Sequence, residues 1–171
     1  MQSLKKEIIN YLKLQDIPFK ENLSSNKKLD LSVRIKNKWT FHLEAEEKKK
    51  TYDIKSWNLA KDQEPFTFIF DDLTARKILA YAPYSGMIVR DNLKNTFYLF
   101  SILDLFLMPK KRINQPVFKE KKLLKGKWII DFRNGTECKF YDDIFHHLEK
   151  YIDERENIFL KSTGRYKDYV D

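Results

Sequence analysis

The stretch KLDLSVRIKNKWTFHLEAEEKKK, residues 28–50, decides the fold. Leu29, Leu31, Val33 and Ile35 alternate with Asp30, Ser32, Arg34 and Lys36. After a short turn, Trp39, Phe41, Leu43 and Ala45 alternate with Thr40, His42, Glu44 and Glu46. A period of two in both arms predicts two half-buried strands. If both apolar sets cover one core, Ile35 pairs with Trp39 and Val33 with Phe41, leaving Lys36, Asn37 and Lys38 as the turn. That register sets Asp30 opposite Glu44. Directly opposed Cβ atoms lie roughly 5 Å apart, and Glu46 on the diagonal is roughly 7 Å away. A slip of one residue would turn the apolar set to solvent, so the register is constrained. Carboxylates placed this way can hold a magnesium ion.

The rest of the composition bounds the class. With 171 residues and 42% hydrophobic content, the chain can build one sizeable core, so a single domain over 1–171 is expected. Within it, 4–105 would form the core, 106–160 a basic loop and C-terminal helix, and 161–171 a frayed tail. A formal charge of +8 points to a polyanionic partner or, at its blandest, to solubility alone. The one cysteine, Cys138, excludes an internal disulfide and a thiolate-rich zinc site, which fits a reducing cytoplasm. The N-terminal MQSLKKEIINYLKLQ lacks the apolar core of a signal peptide. The longest apolar stretch, Phe97 to Met108, is interrupted by Ser101 and Asp104 and is too short to span a bilayer, so no membrane partner is expected.

Around the hairpin, Leu4, Ile8, Ile9 and Leu12 share one stripe of a helix over residues 4–14, and Ile17 to Asn22 reads as a short strand. FTFIF, after Pro65, reads as a strand. Asp71 and Asp72 stand where an N-cap belongs, before a short helix in LTARKILAYA, with a strand at Lys77 to Ala82 as the alternative. GMIVRD is a strand. TFYLFSILDLFLM is either a strand passing into a buried helix or one buried element, and periodicity leaves both open. Residues 109–127, strongly basic with two prolines, read as a loop or edge ribbon. KWIIDF is a last strand ended by the Asn134-Gly135 turn, and Ile144, Phe145, Leu148, Tyr151 and Ile152 mark a C-terminal helix from Asp142 to about Phe159.

This order of helix and three-strand meander, with LDLSVRI and HLEAEEK on the second and third strands, resembles the core of the PD-(D/E)xK, or restriction-endonuclease-like, phosphodiesterases, which include archaeal Holliday-junction resolvases. The resemblance covers roughly residues 4–50, with 66–91 compatible in type. It implies an α+β or α/β fold with a central mixed β-sheet flanked by helices. That family carries an Asp at the start of the second strand and Glu-x-Lys on the third. Asp30 and Glu44 match the two acids, and Glu46 stands in place of the lysine, a Glu-x-Glu variant also carried by some type II restriction enzymes. Lys48, of the same strand parity, is the candidate for the lysine's role. Glu7 on the first helix resembles the family's auxiliary carboxylate.

The resemblance implies a nuclease that hydrolyses phosphodiester bonds with Mg2+ or Mn2+. Asp30, Glu44 and Glu7 would bind metal, and Asp30, Glu44, Glu46 and Lys48 would form the catalytic set, Glu46 completing the metal's shell or acting as general base. Nucleic acid is the expected partner, DNA ahead of RNA, and homodimerisation is left open. Lys110, Lys111, Arg112, Lys119, Lys121, Lys122, Lys125 and Lys127 are the candidates to line a backbone groove, and His42, on the Glu44 face, to touch phosphate. The bland counterpart is a solvated hairpin whose acids neutralise neighbouring lysines. His146 and His147, about 100° apart on a helix, cannot readily share an ion. The four glycines form no phosphate-cradling loop. The alternative function is a non-catalytic nucleic-acid-binding module or a subunit of a larger nuclease complex.

Overall fold

The hairpin forms in the expected register, with Leu31 opposite Leu43, Val33 opposite Phe41 and Ile35 opposite Trp39. Lys36 and Asn37 have φ of 52° and 53°, and the Lys38 N–H donates to the Ile35 carbonyl at 3.1 Å, which closes the turn. The computed structural model describes residues 2–23, 27–117 and 120–155, and of residues 116–123 it describes no side chain.

The hairpin strands, β2 (Leu31–Ile35) and β3 (Trp39–Lys48), lie within a six-stranded sheet. Its order is β1 (Phe19–Glu21), β2, β3, β5 (Ser85–Asp91), β6 (Thr96–Ser101) and β9 (Thr136–Cys138). β3 and β5 run parallel and every other pair is antiparallel, so the sheet is mixed. One face carries Val33, Phe41, Leu43, Ile88 and Leu99 and is covered by α1 (Leu4–Leu14) and α4 (Tyr141–Glu154). The expected mixed sheet with flanking helices is therefore present. The part of the C-terminal helix expected over 156–159 and the tail over 161–171 lie outside the described residues.

The opposite face is also covered. Met87, Val89, Tyr98 and Phe100 pack against Phe68, Phe70, Ile130 and Phe132 of a second layer. That layer is a three-stranded antiparallel sheet in the order β4 (Thr67–Asp71), β8 (Glu120–Asp131) and β7 (Lys111–Val117), accompanied by α2 (Asp72–Ala80) and α3 (Ile102–Leu107). FTFIF and KWIIDF are thus strands of a separate sheet, and the basic segment is its ribbon, with a register shift between Pro116 and Val117. TFYLFSILDLFLM resolves into strand then helix because Ser101 caps α3. Its Oγ accepts from the Asp104 N–H at 3.1 Å, and the Asp104 carboxylate accepts from the Ser101 N–H at 2.8 Å. Among the described residues no helix is long and apolar enough to cross a membrane.

Candidate active site

Because both faces of the six-stranded sheet are covered, the polar set of β3 does not look out to solvent. Glu44 and Glu46 lie beside Met87 and Val89, their partners across β5, on the face that meets the second layer. Asp30 stands one residue before β2 and is tied to β3 at both Glu44 and Ala45. Its N–H donates to Glu44 Oε2 at 3.1 Å, and its Oδ2 accepts from the Ala45 N–H at 3.1 Å. Lys5 of α1 brings its ammonium to 3.5 Å from Asp30 Oδ1.

The electrostatics follow from this enclosure. The Glu44 side chain is 9% exposed, and its Oε1 accepts from Lys77 Nζ at 2.6 Å. Burial and the Asp30 charge outweigh that ion pair, so the Glu44 carboxyl titrates above its ordinary range. Glu46 is pushed further, to about 7, by burial and then by the negative charges of Glu44, Asp30 and Asp71. A carboxyl at that value beside two other acids marks a site with negative charge in excess.

Lys77 is the group that the sequence reading missed. It lies on α2, 33 residues from Glu44, and supplies the ammonium that the Glu-x-Glu pattern lacks on β3. Only the docking of α2 against the sheet reveals it, since nothing in LTARKILAYA distinguishes Lys77 from a solvated helix lysine. Asp71 also belongs here. It occupies the N-cap position of α2 but makes no cap hydrogen bond; its carboxylate accepts from Lys125 and Lys127, which together overcome burial and lower its pKa. Asp72 likewise accepts from the Trp128 indole N–H and from Arg76, each at 2.6 Å, so neither aspartate does the capping expected of it.

Other expected members are placed elsewhere. Lys48 shares the parity of Glu44 and Glu46, but its side chain is fully buried. Its Nζ donates to the Glu64 carboxylate at 3.1 Å and carbonyl at 3.0 Å and lies 5.0 Å from the Tyr52 ring centroid. It is an anchor for the segment leading to β4, without an open side for substrate. Glu7 is on the other side of the sheet, where it binds Arg90 at 2.7 Å and the Tyr141 hydroxyl at 2.7 Å. Arg90 in turn pairs with Glu47, and neither acid meets Glu44. His42 does share the Glu44 face, but its Nδ1 is 3.0 Å from Ser32 Oγ, its ring lies 4.3 Å from Tyr81, and burial lowers its pKa.

The basic candidates divide. Lys125 and Lys127 border the site through Asp71. Arg112, 67% exposed, stacks over Trp128, as does Lys110, whose Nζ also donates to the Phe106 and Met108 carbonyls. Lys111 donates to the Trp57 carbonyl at 2.5 Å. Lys119 lies outside the described residues, and of the Lys121 and Lys122 side chains nothing is described.

The donor set suits a hard divalent cation. Among the described residues, no group of three or more His, Cys, Asp or Glu side chains is placed to hold a metal ion, so there is no all-protein cage. Mg2+ does not require one, because it is commonly held by one or two carboxylates together with substrate phosphate oxygens. Asp30, Glu44 and Glu46 offer only oxygen donors, and their mutual repulsion is what such a cation would relieve.

No protein-family model and no curated protein matches this chain. Among solved structures, it is similar to Hjc, a Holliday junction resolvase of Archaeoglobus fulgidus, at 9% identity and a TM-score of 0.45, over 78% of this chain and 96% of that one. It is also similar to D212, a nuclease from a fusselovirus, at 9% identity and a TM-score of 0.47, over 90% of this chain and 89% of that one. What the site can do follows from its own geometry.

Proposed function

We propose that this protein is a metal-dependent nuclease that hydrolyses phosphodiester bonds, in DNA ahead of RNA, at Asp30, Glu44 and Glu46. The observation that carries this reading is the burial of Glu44 and Glu46 on one interlayer face, with Asp30 bonded to Glu44 and an ammonium, Lys77, delivered to Glu44 from another element. A solvated hairpin face would show none of these features. Mg2+ or Mn2+ is the cofactor that the oxygen donors fit, with Asp30 and Glu44 as its ligands. When bound, such an ion supplies charge stabilisation to the scissile phosphate and lowers the pKa of water. Glu46, poised near neutrality, accepts the proton of the attacking water. Lys77 holds Glu44 in place and sets a positive charge beside the phosphate oxygens.

The test is incubation of purified protein with mixed nucleic acids and Mg2+ or Mn2+, beside an Asp30→Asn, Glu44→Gln double variant. Metal-dependent cleavage lost in the variant is the expected result, and cleavage unchanged in the variant would remove these residues from the chemistry. The Glu44–Lys77 ion pair favours one second reading, in which the acids are already satisfied and the chain is a nucleic-acid-binding module or a subunit of a larger nuclease complex. That reading predicts salt-sensitive binding without cleavage or a metal requirement. Cytoplasmic residence and a single domain complete the proposal.

A further inference from the structure

Trp128 of β8 lies against α2 with its indole N–H on Asp72 and two cations over its ring, Arg112 at 4.7 Å and Lys110 at 5.3 Å. Beside it is a cavity of about 160 Å³ between α2 and α3, walled by Ala75, Leu79, Ile102, Leu105, Phe106 and Trp128. Leu79 and Phe106 remain 52% and 63% exposed at its mouth. Arg76, Lys110 and Arg112 rim it. A second cavity, of about 280 Å³, adjoins it, sharing Arg76, Arg112 and Trp128 and reaching Lys127. The two cavities together form one cleft along α2 and β8, and Lys127 on its wall pairs with Asp71 at the N-terminus of α2.

The chemistry of this cleft is twofold. Arg76 and Arg112, 75% and 67% exposed, share the single carboxylate of Asp72, which leaves positive charge in excess along the groove. The pocket at its end is apolar and aromatic. A phosphate-bearing backbone with a flat, apolar-faced base matches both halves at once. A base within a duplex is stacked between its neighbours, so only an unpaired one can enter.

Resting on the nuclease reading above, we propose that the α2–α3 pocket holds an unpaired base of the bound strand, whose backbone follows the Arg76–Arg112 groove. The substrate class is then nucleic acid carrying unpaired nucleotides beside a duplex, such as a tail or a gap. The test uses a fluorescent duplex with a short single-stranded thymidine tail and the same duplex with an abasic tail of equal length and charge. Anisotropy titrations are run in EDTA so that nothing is cut. The intact protein should bind the base-bearing tail roughly five-fold or more tightly than the abasic one. A Leu79→Ala, Phe106→Ala double variant, altering only exposed side chains, should bring that ratio close to one. Equal affinity of the intact protein for the two tails, as expected if the pocket takes a protein side chain instead, would overturn the proposal. So would an undiminished ratio in the double variant. Base-dependent binding without cleavage when Mg2+ is restored would sink the nuclease reading and leave the pocket standing, and cleavage without base dependence would do the reverse.

Discussion

At the residue scale, Glu46 has the most to reveal, because its carboxyl titrates near 7 when folded against 4.5 ordinarily. Between those values the folded chain holds a proton that the unfolded chain has lost, so this group's contribution to stability falls as pH rises from about 4.5 to 7 and stays low above. Glu46→Gln removes the cost of ionisation. In EDTA, the variant should gain on the parent by up to roughly 3 kcal/mol at pH 8 while the two nearly coincide at pH 4.5. Urea denaturation at both pH values measures the gap, and a gap independent of pH would mean that Glu46 is not perturbed by its neighbours. Lys77 acts on the same site from the other side. Lys77→Met leaves α2 intact but removes the positive charge from Glu44 and from the place a phosphate would occupy. Single-turnover cleavage should slow by about a hundred-fold, and an unchanged rate would reduce Lys77 to a structural ion pair.

At the element scale, the hairpin was legible and the second layer was not, for a physical reason. Parity with two apolar arms fixes strand pairing locally, so Asp30 and Glu44 could be set side by side from residues 28–50 alone. Parity does not tell which face of a sheet a later element will cover. FTFIF and KWIIDF read as strands, but their apolar faces fit either the main sheet or a separate one, and only β4–β8 pairing decides. For the same reason Lys48 was credited with the lysine's role on parity, when the covering layer buries it on Glu64. The strand-to-helix change at Ser101 had a signal, Ser-Ile-Leu-Asp, that periodicity overlooked and the capping geometry explains. Ser101→Ala should therefore cost about 1 kcal/mol, read as a lower denaturation midpoint. Gly86 matters for another reason. A Cβ there would stand 2.4 Å from the Phe100 carbonyl oxygen of the neighbouring strand. Gly86→Ala should force β5 from β6 beside Leu43, one residue from Glu44, at a cost of about 1–3 kcal/mol; unaltered thermal stability would show that the sheet yields there without strain.

At the scale of the whole molecule, the two layers act together on charge. The acids are gathered between them, and the cations lie around the opening on the second layer, where Arg76, Arg112 and Lys125 keep half or more of their side chains in solvent. A formal charge of +8 alone cannot say whether the positive field is directed. The arrangement can, because Arg76 and Arg112 line one groove, and each phosphate neutralised there releases a counterion. Duplex DNA binding, measured in EDTA between about 50 and 200 mM salt, should weaken steadily on a log–log plot, each phosphate contact contributing close to one unit of slope. Arg112→Ala should make the slope shallower by about one. Arg34→Ala should leave it alone, since the Arg34 guanidinium donates to the Asn37 carbonyl at the hairpin turn and lines a separate hollow with Gln15, Pro18 and Glu149 that shares no residue with the Arg76–Arg112 groove. Equal slopes for all three proteins would show that the excess charge is spread evenly and that the Arg76–Arg112 groove does not guide the strand.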